Sequence, residues 1–598
     1  MAANHVGDNA AASGCPKALL FRGGAVLPED EKLTGLLDCL GASWEPVRAT
    51  EILRQTGRFF AMAPASCVAE LLNQGTGDLP TWIADADSVF LYGFGEDGAS
   101  QNLLRFLTGD PYAKVRGVSA GHASISISSD FPEFSGPLSG MQFEVRIPEK
   151  QTAFHLSPRE ESFQSIISSD QGQLFISVHC RGARFFLSAS AQIVDVFEPR
   201  TKYFDVKEKF CDTVPIVMYA KWASGTGAAH EINACLIVDD PPLKPRYGFL
   251  RYGELLQSMN EHKFATTIAF IPWNWHRTDF STVRLFHENP EKLSLCIHGC
   301  DHTSREFADP SMAVMNKRIN LAIHRMQLLT GRTFLQHQEV MVFPQGAFSA
   351  SAARALKLNG FLAAANTEVA PVDRAENKTK VADLFSLAIM KYASFPIFTR
   401  RYLAHGPENF AFDGLLGKPC LIATHHDDFA GDAHILLDAI AKLNSLNWKL
   451  RWRPLGEAIS RTFSMRTQVS GDQCVEMYGT NLVYQNSVAS SNGTKFIKRE
   501  TDLDNVQDVT LNGLPLDRLQ REDGYIKFEA SIPSDQSAEL RVIYSCSDDS
   551  TLPLNSDGVK YRAKAVLRRY LSEFRDNYLS QNELLQHSAV RLKEALRL

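Results

Sequence analysis

Four short apolar runs in the middle of this chain all stop at polar residues with ligand chemistry. Ala234-Cys-Leu-Ile-Val238 stops at Asp239-Asp240-Pro241-Pro242, and Leu293-Ser-Leu-Cys-Ile297 stops at His298-Gly-Cys-Asp-His302. Val340-Met-Val-Phe343 stops at Pro344-Gln345-Gly346, and Pro419-Cys-Leu-Ile-Ala-Thr424 stops at His425-His426-Asp427-Asp428. A run with no polar face reads as a strand buried on both sides, as in a parallel sheet. Helical stretches separate the runs: Gly253 to Lys263, Ser311 to Leu329, Ser349 to Leu358 and Ala433 to Leu446. Strand-helix alternation predicts a parallel sheet with crossover helices, and an irregular (β/α) barrel is the expected form. In such folds functional residues gather at the carboxyl ends of the strands.

Two adjacent carboxylates at a strand end repel unless a cation holds them, so Asp239 and Asp240 suggest a metal-bound pair. A solvated Asp-Pro turn is the bland alternative. His298 and His302, four apart, would lie on one face of a helical turn and could share one metal. The Asp-Asp pair, the His-x-x-x-His pair and their order resemble the NodB-type polysaccharide deacetylases, a carbohydrate-esterase group. The resemblance runs from about Ala229 to Phe463. It implies a distorted (β/α)7-type barrel and removal of N-acetyl groups from an amino sugar, oligosaccharide or polysaccharide. It also implies that Asp240, His298 and His302 bind a divalent metal, Zn²⁺ or else Co²⁺ or Ni²⁺. Asp239 is then the general base, and His425 or His426 the acid that protonates the departing amine. A backbone N–H in the Pro344-Gln345-Gly346 turn would hold the oxyanion. Two further readings are a hydrolase of another C–N bond on the same barrel, and an inactive carbohydrate-binding or assembly protein.

The chain departs from the family pattern in places. Val342 stands where the family has an Arg that orients the base, and Gln345 stands where it has Tyr. No Asp-Trp follows the fifth strand, where Asn366 and Glu368 are found. Arg277 and Arg305 follow strand ends and are the expected substitutes for the missing Arg. Trp273 and Trp275, after the apolar run Ala265–Ile271, offer indole faces either to a sugar ring or to a neighbouring domain.

The remainder predicts a multidomain α/β chain. Residues 1–16 read as disordered. Residues 17–135 read as a small open α/β sheet of flavodoxin or amidotransferase type, and 136–225 as β-sandwich-like, with Gln192–Phe197 among its strands. Residues 226–465 form the barrel, 466–550 a small β domain with Asn-Gly turns at Asn492 and Asn512, and 551–598 C-terminal helices. The charge run of those helices reads as a solvated face, with homo-oligomerisation as the alternative. Gly117-Val-Ser119-Ala-Gly121 matches a nucleophile elbow, but an alternating run follows it where a helix is required. A net charge of −6 on 598 residues, without a basic tract, argues against nucleic acid as a partner. Eleven cysteines with no Cys-x-x-Cys, no membrane-spanning run and a polar amino terminus lead to a cytoplasmic expectation.

Overall fold

The computed structural model describes residues 17–22, 28–48, 58–74, 79, 81–157, 163–225, 231–373, 378–467, 473–486, 493–516, 518–545 and 558–580. The amino-terminal disorder, the Asn492 turn and the helix expected beyond residue 580 lie outside these residues.

Near the amino terminus, strands Trp44–Arg48, Lys17–Arg22, Phe59–Pro64 and Val89–Tyr92 lie side by side and parallel. Helices Pro28–Leu40 and Ala65–Gln74 connect them, as the alternating pattern predicts. The sheet does not stop there. Ala183–Ser188 joins Val89–Tyr92 in parallel, and Gly172–Cys180, Gln164–Ser169, Gly121–Ile127 and Gln142–Ile147 extend it antiparallel. One eleven-stranded sheet therefore crosses residue 135, with apolar cores on both faces.

Two expectations fail in this region. Gln192–Phe197 is not a strand: Val194 N–H donates to the Asp212 carbonyl, and Ile193, Val194 and Val196 pack inward from a loop. Phe210–Ala223, expected to be partly β, is a helix buried nearly all round. An apolar segment with no polar face carries no periodicity to separate helix from strand. Ser119 sits in an exposed loop between strands Lys114–Gly117 and Gly121–Ile127, so no nucleophile elbow forms.

The barrel strands are β1 (Ile232–Asp239), β2 (Thr266–Phe270), β3 (Leu293–His298), β4 (Val340–Val342), β5 (Ala363–Asn366), β6 (Ile397–Thr399), β7 (Arg401–Tyr402), β8 (Cys420–Thr424) and β9 (Leu450–Trp452). Their order is β6-β5-β4-β3-β2-β1-β8-β7, with β9 on the outer end of β1, and every pair is parallel. The two ends of this sheet are consecutive in the chain, with only Arg400 between them. One short stretch, Ile397–Tyr402, thus pairs with β5 through its first half and with β8 through its second. The barrel closes at that seam. β1, β3 and β8 are mostly apolar and buried nearly throughout, and Cys235, Cys296 and Cys420 serve there as buried free thiols.

The described residues between 463 and 545 form two small sheets that share one apolar core, including Val475, Tyr484, Phe496, Val509 and Leu540. Asn512-Gly513, both at positive φ, turns Val506–Leu511 back into Leu514–Pro515 as a two-residue hairpin loop. The C-terminal helix, Val559–Phe574, continues as a π-turn over Arg575–Leu579. Among the described residues no helix is long and apolar enough to cross a membrane.

Candidate metal centre and active site

Asp239 is the last residue of β1, and Asp240 steps off it with φ +84°. Left-handed backbone at a non-glycine residue is unfavourable, and here it separates the two carboxylates that the sequence makes neighbours. Asp239 stays inside the barrel, while Asp240 turns toward His298 and His302. Asp240 Oδ1 is 3.6 Å from His298 Nε2 and 3.1 Å from His302 Nε2. Ligand atoms of these three residues all lie within 4.8 Å of one another.

The two histidines reach this point differently from expectation. No helical turn holds them. His298 ends β3, and the chain then reverses through Gly299 at φ +67° and His302 at φ +54°. A Cβ at residue 299 would stand 2.4 Å from Pro344 Cγ, so only glycine permits the turn. Buried Glu306 fixes the loop by accepting the backbone N–H groups of Cys300, Asp301 and His302 at 3.1, 2.7 and 3.1 Å. Nothing in the sequence pattern marked Glu306.

His298 Nδ1 lies 2.9 Å from the Val342 carbonyl. A carbonyl only accepts, so Nδ1 carries the proton and Nε2 faces Asp240 with a free lone pair. Burial lowers the pKa of both histidines, that of His302 to about 3, so both rings are neutral near pH 7. Burial alone would raise Asp240, but His302, His298 and Arg569 around it outweigh that and hold its carboxyl below the usual range. Asp240 Oδ1 is buried with no hydrogen-bond partner. A buried anionic oxygen without a donor is costly, and two neutral imidazole nitrogens beside it are metal ligands, so this donor set fits a divalent cation.

Asp239 has a different partner. Arg400 places Nη1 and Nη2 2.7 Å from Asp239 Oδ1 and Oδ2, a two-pronged pair with both side chains buried. Burial pushes Asp239 up, and Arg400 more than offsets it, leaving the carboxyl below its ordinary value. Neither expected substitute for the family's Arg does this. Arg277 is engaged by Glu573, and Arg305 is exposed. The tether comes from the barrel seam, not from the strand of Val342.

His425 Nε2 lies 3.9 Å from Asp239 Oδ2, and its ring stacks on Tyr402. His426 is buried and points away, 3.4 Å from Asp576 Oδ1 and edge-on to Tyr247. In the Pro344-Gln345-Gly346 turn, Gln345 has φ +58°, and the Gly346 N–H is spent on the Phe343 carbonyl at 3.0 Å. Asn366 supports the turn by donating to the Gly346 carbonyl at 2.9 Å. The two tryptophans part company: Trp275 packs against the main core, whereas Trp273 stands beside Arg277 and Tyr570. The charged C-terminal helix, expected to be solvated, lies over this same end of the barrel. Tyr561, Arg569, Glu573 and Asp576 all contact residues there.

No protein-family model and no curated relative matches the chain. Among solved structures it is similar to Agd3, described as a novel carbohydrate deacetylase, at 9% identity and a TM-score of 0.45, covering 89% of this chain and 99% of that one. It is also similar to a family 4 carbohydrate esterase from Streptomyces lividans in complex with acetate, at 15% identity and a TM-score of 0.22, over 36% of this chain and 87% of that one. A third likeness is to BA3943 of Bacillus anthracis, a CE4 family pseudoenzyme, at 10% identity and a TM-score of 0.23, over 37% and 64%.

Proposed function

We propose that this chain is a metal-dependent hydrolase that removes N-acetyl groups from an N-acetylated amino sugar or oligosaccharide. The observation that carries the reading is the orphaned Asp240 Oδ1 between two neutral histidines, beside a second carboxylate clamped by an arginine. Asp240, His298 and His302 would hold the cation. When bound, Zn²⁺ or a similar ion supplies Lewis acidity and lowers the pKa of water.

The chain's own groups divide the remaining work. Asp239 is ionised and cannot rotate, because both its oxygens are held by Arg400. It accepts the proton of the attacking water as general base. His425, on the other side of Asp239, gives a proton to the nitrogen that leaves. His426 is the less suitable acid, because it faces Asp576. The Gln345 N–H is the donor in its turn for the developing oxyanion, since the Gly346 N–H is already used. Trp273 offers the stacking face for a sugar ring, and Trp275 belongs to the packing.

Metal content and acetate release from chitooligosaccharides test the reading. Asp239→Asn should keep the metal and lose about 10²–10⁴-fold in kcat, the usual contribution of a positioned base. Asp240→Asn should lose metal and activity together. If both variants keep the metal and full activity, the site is elsewhere.

A further inference from the structure

The C-terminal helix lies on the barrel mouth with its polarity reversed. Its inward side is polar and charged. Tyr561 Oη donates to Asp301 Oδ2 at 3.1 Å, and Glu573 pairs with Lys244 and Arg277. Asp576 accepts from Tyr247, and Asn577 Oδ1 accepts the Gly248 N–H at 2.8 Å. Its outward side carries Leu567, Leu571, Phe574 and Tyr578, each more than half exposed. Apolar burial is therefore not what holds it down; only Ala565 is a buried apolar residue of this helix.

The helix covers groups that the proposed chemistry uses. Tyr570 stands edge-on to Trp273, with Arg277 over both rings. Arg569, buried, puts Nη2 3.2 Å from His302 Nδ1, and its Nε has no partner. A guanidinium only donates, so with the helix in place His302 Nδ1 holds its lone pair and Nε2 carries the proton, beside Asp240 Oδ1 at 3.1 Å but without a hydrogen bond to it. Ligation through Nε2 requires the opposite tautomer, with the lone pair on Nε2 and the proton on Nδ1. Arg569 in place and a cation on His302 thus exclude each other through a change of tautomer, with no change of charge on the ring.

We propose that the C-terminal helix is a displaceable cover over the active site, and that Arg569 is the cation that occupies the Asp240–His302 environment while the cover is shut. The inference rests on the reading of Asp240, His298 and His302 as a metal centre. Binding of the ion and release of the helix are then one coupled equilibrium: each favours the other. The saccharide chain reaches Trp273 only from the released state.

The test uses the full-length chain stripped of metal. Zn²⁺ affinity is measured by calorimetry for wild type, Arg569→Gln and Glu573→Gln, and hydrogen exchange of residues 559–579 is followed with and without Zn²⁺. The glutamine oxygen of Arg569→Gln can accept from His302 Nδ1–H, so this variant should bind Zn²⁺ about tenfold more tightly, within the ordinary range of coupling between sites. Glu573→Gln, which leaves the site residues untouched, should show a smaller gain. In wild type, Zn²⁺ should speed exchange along the helix. Zn²⁺ binding that is unchanged or weaker in both variants overturns the cover, as does exchange along the helix that ignores Zn²⁺. Failure of all three proteins to bind Zn²⁺ overturns the metal-centre reading, and the cover with it.

Discussion

Two clusters of buried charge in this molecule use the same kinds of groups in opposite ways. At the barrel mouth, Asp239 and Arg400 are matched one to one, and both carboxylate oxygens are engaged at 2.7 Å. Where the barrel meets the C-terminal β sheets, Glu500 serves two lysines, and Asp502 Oδ2 lies 3.9 Å from one of them, Lys357. Lys357 Nζ is 2.7 Å from Glu500 Oε1, Lys498 Nζ is 3.9 Å from Oε2, and Tyr544 Oη donates to Oε2 at 2.7 Å. Both lysines and Glu500 have fully buried side chains. Burial pushes Lys498 down to about 8, and Glu500 only partly offsets it. The first cluster fixes the direction of one carboxylate. The second carries a surplus cation that fixes nothing in the site. Buried charge is therefore poor evidence for stability, and the two clusters differ in whether each carboxylate has a matched partner.

The largest effect should come from breaking the matched pair. Arg400→Met leaves Asp239 buried without a counter-ion and should lower unfolding stability by about 3–5 kcal/mol. Arg400→Met with Asp239→Leu should recover most of that loss in urea titration. A double variant no more stable than the single one would show that the pair is not the source.

Lys498→Met should act in the other direction. It removes the surplus cation and leaves Lys357–Glu500 intact, so stability at pH 7 should rise by about 2 kcal/mol. The pH dependence has a definite sign. Between the folded value of about 8 and the ordinary lysine value of 10.5, the unfolded chain binds the proton and the native chain does not. Wild-type stability gains from this group as pH rises through that window, and the advantage of Lys498→Met shrinks accordingly. An advantage independent of pH would assign the effect to packing.

The smallest change sharpens the contrast. Lys357→Met removes a closer partner than Lys498 does, yet Glu500 keeps Lys498 and Tyr544. The loss should be only about 1 kcal/mol, well below that of Arg400→Met. Equal losses at the two positions would erase the distinction between the clusters.

The strand-end residues were legible because a buried strand that stops at Asp-Asp or at histidine breaks its own apolar pattern. That signal singled out Asp239, Asp240, His298 and His425, which the structure brings to one end of the barrel, and the order of the runs found the barrel. Arg400 escaped because β6 and β7 are only three and two residues long, below the length at which periodicity speaks. The sole clue was a charged pair, Arg400-Arg401, directly after Ile397-Phe-Thr399. Glu306 and Arg569 escaped for another reason: their roles depend on backbone reversal and on contact with a distant segment. The helix at Phe210–Ala223 was missed because uniform burial erases the period that separates helix from strand.

The Asp239–Arg400 pair joins residues 161 apart, and the arginine sits where the stretch Ile397–Tyr402 links the two ends of the sheet. Such a long-range contact requires the intervening loop to be closed first. In a chain that has collapsed but not closed, Asp239 would lack the cation that aims it. Pairing of Asp239 with Arg400 would therefore lag behind compaction during refolding, and would serve as a clock for closure of the ring of strands.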